Sequence, residues 1–338
     1  MKKNVTIKEI GKRLNLSFST ISRALHKHPG ISLATQQLVM ETADEMGYLP
    51  NQKAIFFKQG RTFNIGVILP ELSESFFSAA ISAIEDIAYK NNYVITVAQS
   101  HDDQKREKQM VEQMKSSGVD GLLVSVAKNT MDFDHFEQLK KSIIPVVYFD
   151  RIPPIENIHY VTCNIKKGSM ETVDFLVKRG HKHIAFINGP RKLWESKQRK
   201  EGYLKGLKKN SLEFDPFLVM NCDLTKEGVV MTLETLLKRR LKPTAIIAFS
   251  DDVASFAIGH ALKLGIRVNE EIEFASFANS PISKYIEFPP LASVEHFPSE
   301  QGQKAIDALL HLIQNNNSTE QYFFNTLVDP VLVQHIGK

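Results

Sequence analysis

The stretch Asn15–Leu25, NLSFSTISRAL, sets four hydroxyl side chains, one phenylalanine and one arginine on a segment whose apolar residues recur at helical spacing. Ile21, Ala24 and Leu25 make an inward stripe, and Ser17 is placed to cap the helix that carries them. Phe18, Ser19, Ser22 and Arg23 are left on the opposite face. Upstream, Thr6 and Glu9 stand at capping-box spacing before Ile7, Ile10 and Leu14, which predicts a helix over 7–14. Asn15-Leu16-Ser17 leaves room only for a tight turn. Downstream, Ser32 begins a third helix with Leu38, Val39, Ala43 and Met46 as its stripe and Gly47 as its stop.

Three short helices joined by tight turns form a small bundle, and the second presents a polar face of the kind that a helix-turn-helix offers to the major groove. Phe18 can contact a thymine methyl, Ser19 can pair with base edges or a phosphate, and Arg23 can fork onto guanine. Ser17, Thr20 and Ser22 suit phosphate contacts, which fix register without reading sequence. A helical hairpin with a merely solvated polar face fits the same spacing.

Charge separates the two readings. Residues 1–60 hold nine Lys plus Arg against four Asp plus Glu, a net +5, whereas the whole chain of 338 residues is +4. The basic excess is confined to the first sixty residues, as expected for a nucleic-acid-binding module joined to a near-neutral one.

The run VTIKEIGKRLNLSFSTISRALHKHPGIS, with TADEMGYLPN after it, resembles the headpiece of the lactose repressor (LacI/GalR) family of bacterial transcription regulators. Thr6, Ile7, Leu16, Ser17, Thr20, Ile21, Ser22, Arg23, Leu25, Pro29, Ser32, Thr35, Gly47, Tyr48, Pro50 and Asn51 carry the resemblance. Gln36 stands where the family has arginine, removing a phosphate contact, and His26 where asparagine is usual. The resemblance implies operator contacts from Thr6, Ser17, Phe18, Ser19, Thr20, Ser22 and Arg23. It also makes NQKAIFFKQG, residues 51–60, a hinge helix that orders only against a second copy and DNA. Asn51, Ala54 and Phe57 are its DNA-facing residues, with Phe57 at the position that wedges into the minor groove. Packing of Phe56 and Phe57 against the core domain is the other reading.

From Asn64 onward the period changes. NIGVIL, YVITVAQ, DGLLVSV and IPVVYFD read as strands, separated by helical stretches such as SFFSAAISAIEDIAYKN. HIAFING, FLVMN, AIIAFS and EFASFA repeat that rhythm. The expected fold class is therefore a small all-α helix-turn-helix headpiece followed by an α/β core of two doubly wound parallel-sheet lobes. The family resemblance extends to this core, shared with periplasmic sugar-binding proteins, and implies chain crossings near Tyr160, Leu291–Val294 and Phe324. The expected domains are 1–50, the hinge 51–61 and the core 62–338. One core lobe takes 62–160 and 293–324, the other 161–292 and 325–338.

Ligands in such sheets bind at the carboxyl ends of strands. Ser75 and Phe76, Ser125, and Asp150 with Arg151 follow strands of the first lobe; Asp251 and Phe277 with Asn279 follow strands of the second. Arg199 with Gly202 matches the R-x-x-G of sugar-contacting members, and Trp194 lies in the loop before it. An arginine fork, carboxylates and aromatic faces together suit a carbohydrate or a related metabolite. Asp150 with Arg151 also reads as an internal pair, Phe76 as core and Trp194 as loop packing. The carboxylate pair usual near Ala278-Asn279 is missing.

No catalytic constellation emerges. Asp251 and Asp252 have no nucleophile beside them, no dinucleotide or P-loop glycine pattern occurs, and Cys163 and Cys222 are too far apart for a C-x-x-C site. No cofactor and no metal are expected. No secretory segment and no apolar run of about 20 residues is present, so a cytoplasmic chain without membrane contact is expected. The absence of a leucine heptad after His335 favours a homodimer over a tetramer. The sequence thus reads as a DNA-binding transcriptional regulator, a repressor, controlled by a small sugar-like effector. A sugar or sugar-phosphate enzyme with an appended helix-turn-helix, and a constitutive DNA-bending protein, are the alternatives.

Overall fold

The computed structural model describes residues 5–48, 61–142, 144–315 and 322–335. The chain divides into two units, 1–62 and 63–338.

In the first unit, helices α1 (Ile7–Leu14), α2 (Phe18–Leu25) and α3 (Leu33–Glu45) enclose Ile10, Ile21, Ala24, Val39 and Ala43. The Thr6–Glu9 capping box forms in both directions. Between α1 and α2, Asn15 takes the left-handed conformation at φ 53°, and Gly11 lets the chain turn close, since a Cβ there would lie 2.9 Å from the Leu16 carbonyl oxygen. Leu38 is 50% exposed and so stands off the α3 stripe, which rests on Val39 and Ala43. Gln36 is buried, and its amide donates to the His28 and Ile31 carbonyls at 3.1 and 2.8 Å. Its side chain fastens the α2–α3 turn.

The second unit holds two six-stranded sheets. In the first, β1 (Asn64–Leu69), β2 (Val94–Gln99), β3 (Gly121–Val124), β4 (Val146–Phe149), β5 (His159–Cys163) and β11 (Asn325–Val328) lie in the order β11-β5-β4-β3-β1-β2, all parallel. In the second, β6 (Ile184–Asn188), β7 (Val219–Asn221), β8 (Ala245–Ala248), β9 (Glu273–Phe277), β10 (Ala292–Glu295) and β12 (Val331–Gln334) lie in the order β12-β10-β9-β8-β6-β7. Helices α4 (Ser75–Lys90), α5 (Gln104–Ser117), α6 (Asp134–Lys141) and α11 (Pro298–Gln314) belong to the first lobe. Helices α7 (Ile165–Lys178), α8 (Trp194–Lys209), α9 (Lys226–Leu237) and α10 (Asp251–Lys263) belong to the second.

The lobe boundaries differ from those expected. β5 stays in the first sheet through Cys163, so the chain leaves that lobe at Asn164 rather than near Tyr160. β10 pairs with β9 up to Val294, so the return falls between Glu295 and Pro298. β11 pairs with β5 through Val328 before β12 joins the other sheet, moving the last crossing from Phe324 to Asp329-Pro330. Pairing register sets these positions, and only partner strands distant in sequence can supply it. β12 also runs antiparallel to β10, an exception to the all-parallel expectation.

Candidate functional site

On the first unit, Ser17 caps α2 by accepting the Thr20 N–H at 3.1 Å, and its hydroxyl lies 2.8 Å from those of both Ser19 and Thr20. Phe18 is 58% exposed at the helix start, and Ser19 and Arg23 are exposed beside it. Ser22 is half-buried, with its carbonyl 2.7 Å from His26 Nδ1. Thr6 is exposed, yet its hydroxyl and N–H are both engaged with Glu9. α2 therefore presents an aromatic, hydroxyls and a guanidinium on one solvent face. Asn51, Ala54, Phe57 and the expected hinge helix lie outside the described residues.

On the second unit, a cavity of about 280 Å³ opens between the carboxyl ends of the two sheets. Of the residues expected there, Ser75, Phe76, Asp150, Arg151 and Arg199 line it. Phe76 does so while also packing on the first-lobe core, so both readings of it are realised. Arg151 donates to Asp102 Oδ1 at 2.7 Å and lies 3.6 Å from Glu74 and 4.0 Å from Asp150. It is thus the internal partner of Asp150 as well as a wall of the cavity. Asp150 itself sits at φ 58°, in a left-handed conformation that non-glycine residues hold only under constraint.

Arg199 reaches the cavity from α8. Its guanidinium carbon stands 4.0 Å from the Phe249 ring centroid and 4.7 Å from that of Phe277, while Nε and Nη1 have no hydrogen-bond partner among the described residues. Burial lowers its pKa to about 10, offset by Glu195 and Asp150, so it stays charged at neutral pH. Gly202 does not share the cavity. A Cβ there would collide with the Lys166 carbonyl, so its role is to let α8 pack on α7. Ser169 locks the same contact by donating to the Arg199 carbonyl at 2.7 Å.

Five expected residues are placed elsewhere. Ser125 is buried, and its Oγ accepts the Arg151 N–H at 3.4 Å, bracing the loop after β4. Phe277 is fully buried behind Arg199. Asn279 turns away to donate to Glu295 Oε2 at 2.7 Å. Trp194 opens α8 rather than ending a loop, and lines an adjoining cavity with Met131, Phe133 and Lys197. Asp251 is buried as an anchor: its carboxylate accepts from the hydroxyls of Ser276 and Ser293 and from the Ser280 N–H, while Asp252 faces the cavity. Successive residues of a helix lie about 100° apart, so only one of the two acids can point inward.

The cavity adds residues that sequence reasoning missed: Glu74, Asp102, Lys128, Glu195, Phe249, Asp252 and His296. Asp102 and Lys128 follow β2 and β3, so extending the strand-end rule to every strand would have found them. The Lys128 loop is held by buried Glu107, which accepts from Ala127 N–H, Thr130 Oγ1 and His135 Nε2 at 2.6, 2.7 and 3.0 Å. Burial pushes Asp150 up to about 7, opposed by Arg151 and reinforced by Glu195 and Glu74. Burial also raises Glu195 and draws His296 down to about 3, leaving its imidazole neutral. Among the described residues, no group of three or more His, Cys, Asp or Glu side chains is arranged to hold a metal, and no helix is long and apolar enough to cross a membrane.

Residues 6–51 match the bacterial regulatory proteins of the lacI family, and residues 62–325 match the periplasmic binding proteins and sugar binding domain of the LacI family. The chain belongs to the LacI family. This LacI-family chain is 31% identical to catabolite control protein A of Priestia megaterium over 86% of its own length and 87% of that protein. It is 27% identical to the HTH-type transcriptional repressor CytR of Escherichia coli (strain K12), over 92% and 91% of the two chains. Its fold is similar to the lac repressor dimer bound to operator and the anti-inducer ONPF, with a TM-score of 0.83 at 23% identity over 98% of each chain. Family membership makes it a DNA-binding transcriptional regulator with an effector-binding core.

Proposed function

We propose that this regulator is a cytoplasmic homodimeric repressor that reads a palindromic operator through α2 and is switched by a small polyhydroxylated effector, a sugar or close relative, in the cavity around Arg199. The observation that carries the effector reading is the buried Arg199 guanidinium, over the Phe249 and Phe277 rings, with Nε and Nη1 unpartnered among the described residues. A buried charge without hydrogen bonds is costly, and ligand hydroxyls that accept from Arg199 while donating to Asp150 remove that cost. Binding across two lobes favours one lobe arrangement, and linkage transmits the difference to DNA.

On the operator side, Phe18, Ser19 and Arg23 read bases, with Ser22 at a phosphate. Thr6 and Ser17 act first as caps and Thr20 as the residue whose N–H the Ser17 cap accepts, their polar groups reaching phosphates from the helix starts. Asn51, Ala54 and Phe57 complete the interface from the hinge. In the effector cavity, Ser75, Phe76, Asp150, Arg151 and Arg199 touch ligand, while Ser125, Asp251, Phe277 and Asn279 hold the walls and Trp194 borders the mouth. No turnover is proposed: the bonds that hold Asp251 prevent it from forming an acid/base pair with Asp252.

Selection of duplexes from a random pool, followed by operator anisotropy with a sugar panel, tests the reading. Enrichment of a palindrome and its release by a ligand that is not consumed is the expected result. Absence of any enriched palindrome, or consumption of the ligand, overturns it.

A further inference from the structure

The cavity's charges do not balance. Five carboxylates line it, from Glu74, Asp102, Asp150, Glu195 and Asp252, against three cations, Lys128, Arg151 and Arg199. Two of the cations are already spent. Arg151 is 2.7 Å from Asp102 and 3.6 Å from Glu74, and Lys128 is 3.2 Å from Asp102. What remains is Arg199 facing Asp150, Glu195 and Asp252. Among the described residues no cation lies within ion-pair distance of Glu195 or Asp252, and Asp150 has only the Arg151 Nε at 4.0 Å.

Glu195 marks where the deficit is most acute. It is only 6% exposed, it lines this cavity, and its Oε1 has no hydrogen-bond partner among the described residues. A wholly neutral ligand would leave Arg199 outnumbered and this carboxylate, which feels Arg151 and Arg199 only at longer range, without an ion-pair contact among the described residues. An anionic one would satisfy Arg199 but meet Glu195 and Asp252, which have no ion pair among the described residues, and Asp150, held only by the 4.0 Å contact with Arg151.

We propose that the cavity selects a cationic sugar, one carrying an amine, whose ammonium is received by Glu195 while its hydroxyls bridge Arg199 and Asp150. The inference rests on the effector reading above and specifies its chemical class. Burial, reinforced by Glu195 and Glu74 and opposed by Arg151, holds the Asp150 pKa up to about 7, and an ammonium bound beside it would favour the anion. Binding of the amine is accordingly accompanied by proton release near neutral pH.

The test titrates full-length protein with matched sets: glucose, glucosamine and glucuronate, then galactose, galactosamine and galacturonate. Heats are measured in two buffers of different ionisation enthalpy, alongside the emission of Trp194, the chain's only tryptophan. An amine in one set should bind about 10- to 100-fold more tightly than its parent sugar, with protons released. Glu195→Gln should bring that ratio to near one, and Asp252→Asn, at an exposed position that does not threaten folding, should lower it in part. Preference for a neutral or acidic member, failure of every amine to bind, or a ratio unmoved by both variants overturns the proposal. Binding of a neutral sugar alone overturns only this inference and leaves the sugar-switched regulator standing; loss of all sugar binding overturns both.

Discussion

The guanidinium of Arg199 lies 4.0 Å from the centre of the Phe249 ring, held there without a carboxylate in ion-pair contact among the described residues. Stacking on an aromatic face stabilises a desolvated cation only in part. On the proposed reading, the site is organised for a ligand before one arrives. Replacing Arg199 with Met keeps the length and removes the charge, so effector affinity should fall about 10- to 100-fold while the thermal midpoint of the free protein holds or rises. Calorimetry and thermal unfolding of the same variant check both parts.

Asp150 predicts a pH dependence. Its folded pKa, about 7, lies above that of an unfolded aspartate, so its favourable contribution is present below about pH 4 and is lost as pH rises through about 7. Asp150→Asn should thus stabilise the free protein at pH 8 and change little at pH 4. The side chain keeps 17% exposure, which limits the gain to about 1–2 kcal/mol. His296, drawn down to about 3, works in the opposite sense below its ordinary pKa, but it is common to both proteins and cancels in the difference.

Asp251 and Asp252 should separate cleanly. Asp251→Ala strands the hydroxyls of Ser276 and Ser293 and the Ser280 N–H, and is expected to cost about 2–4 kcal/mol in denaturant unfolding. Asp252→Ala should leave stability within about 0.5 kcal/mol and alter ligand binding instead.

Arg23→Ala should weaken operator binding by about 1–3 kcal/mol and relax preference at one base pair, as measured by anisotropy on single-base variants of the selected operator. A mere phosphate contact would instead weaken all duplexes alike and reduce the salt slope by about one.

Gln36→Ala should destabilise the headpiece by about 1 kcal/mol, since it removes two bonds to the α2–α3 turn at a buried site. Unchanged headpiece melting would mean the turn holds without it.

Much of the fold was legible because its signals are local. The Thr6–Glu9 box, the Ser17 and Ser32 caps and the β1 strand Asn64–Leu69 each depend on residues a few positions apart. The site was legible only in outline. Strand-end loops pointed to Ser75, Asp150 and Arg151, but Glu74, Glu195 and His296 carry no such mark, and Asp252 rather than the expected Asp251 lines the cavity.

The sequence by itself determined the capped three-helix headpiece with its basic excess, and the alternation of strand and helix that makes a two-lobed core. These follow from hydrogen bonds and hydrophobic periods within a turn or two of chain. Only the tertiary structure decided where the chain passes between lobes, which neighbouring acid faces the cavity, and that Arg199 stands over two rings with no close counter-ion among the described residues. Those outcomes depend on strand register and on the burial of charges contributed by elements far apart in sequence, and neither is expressed in local spacing.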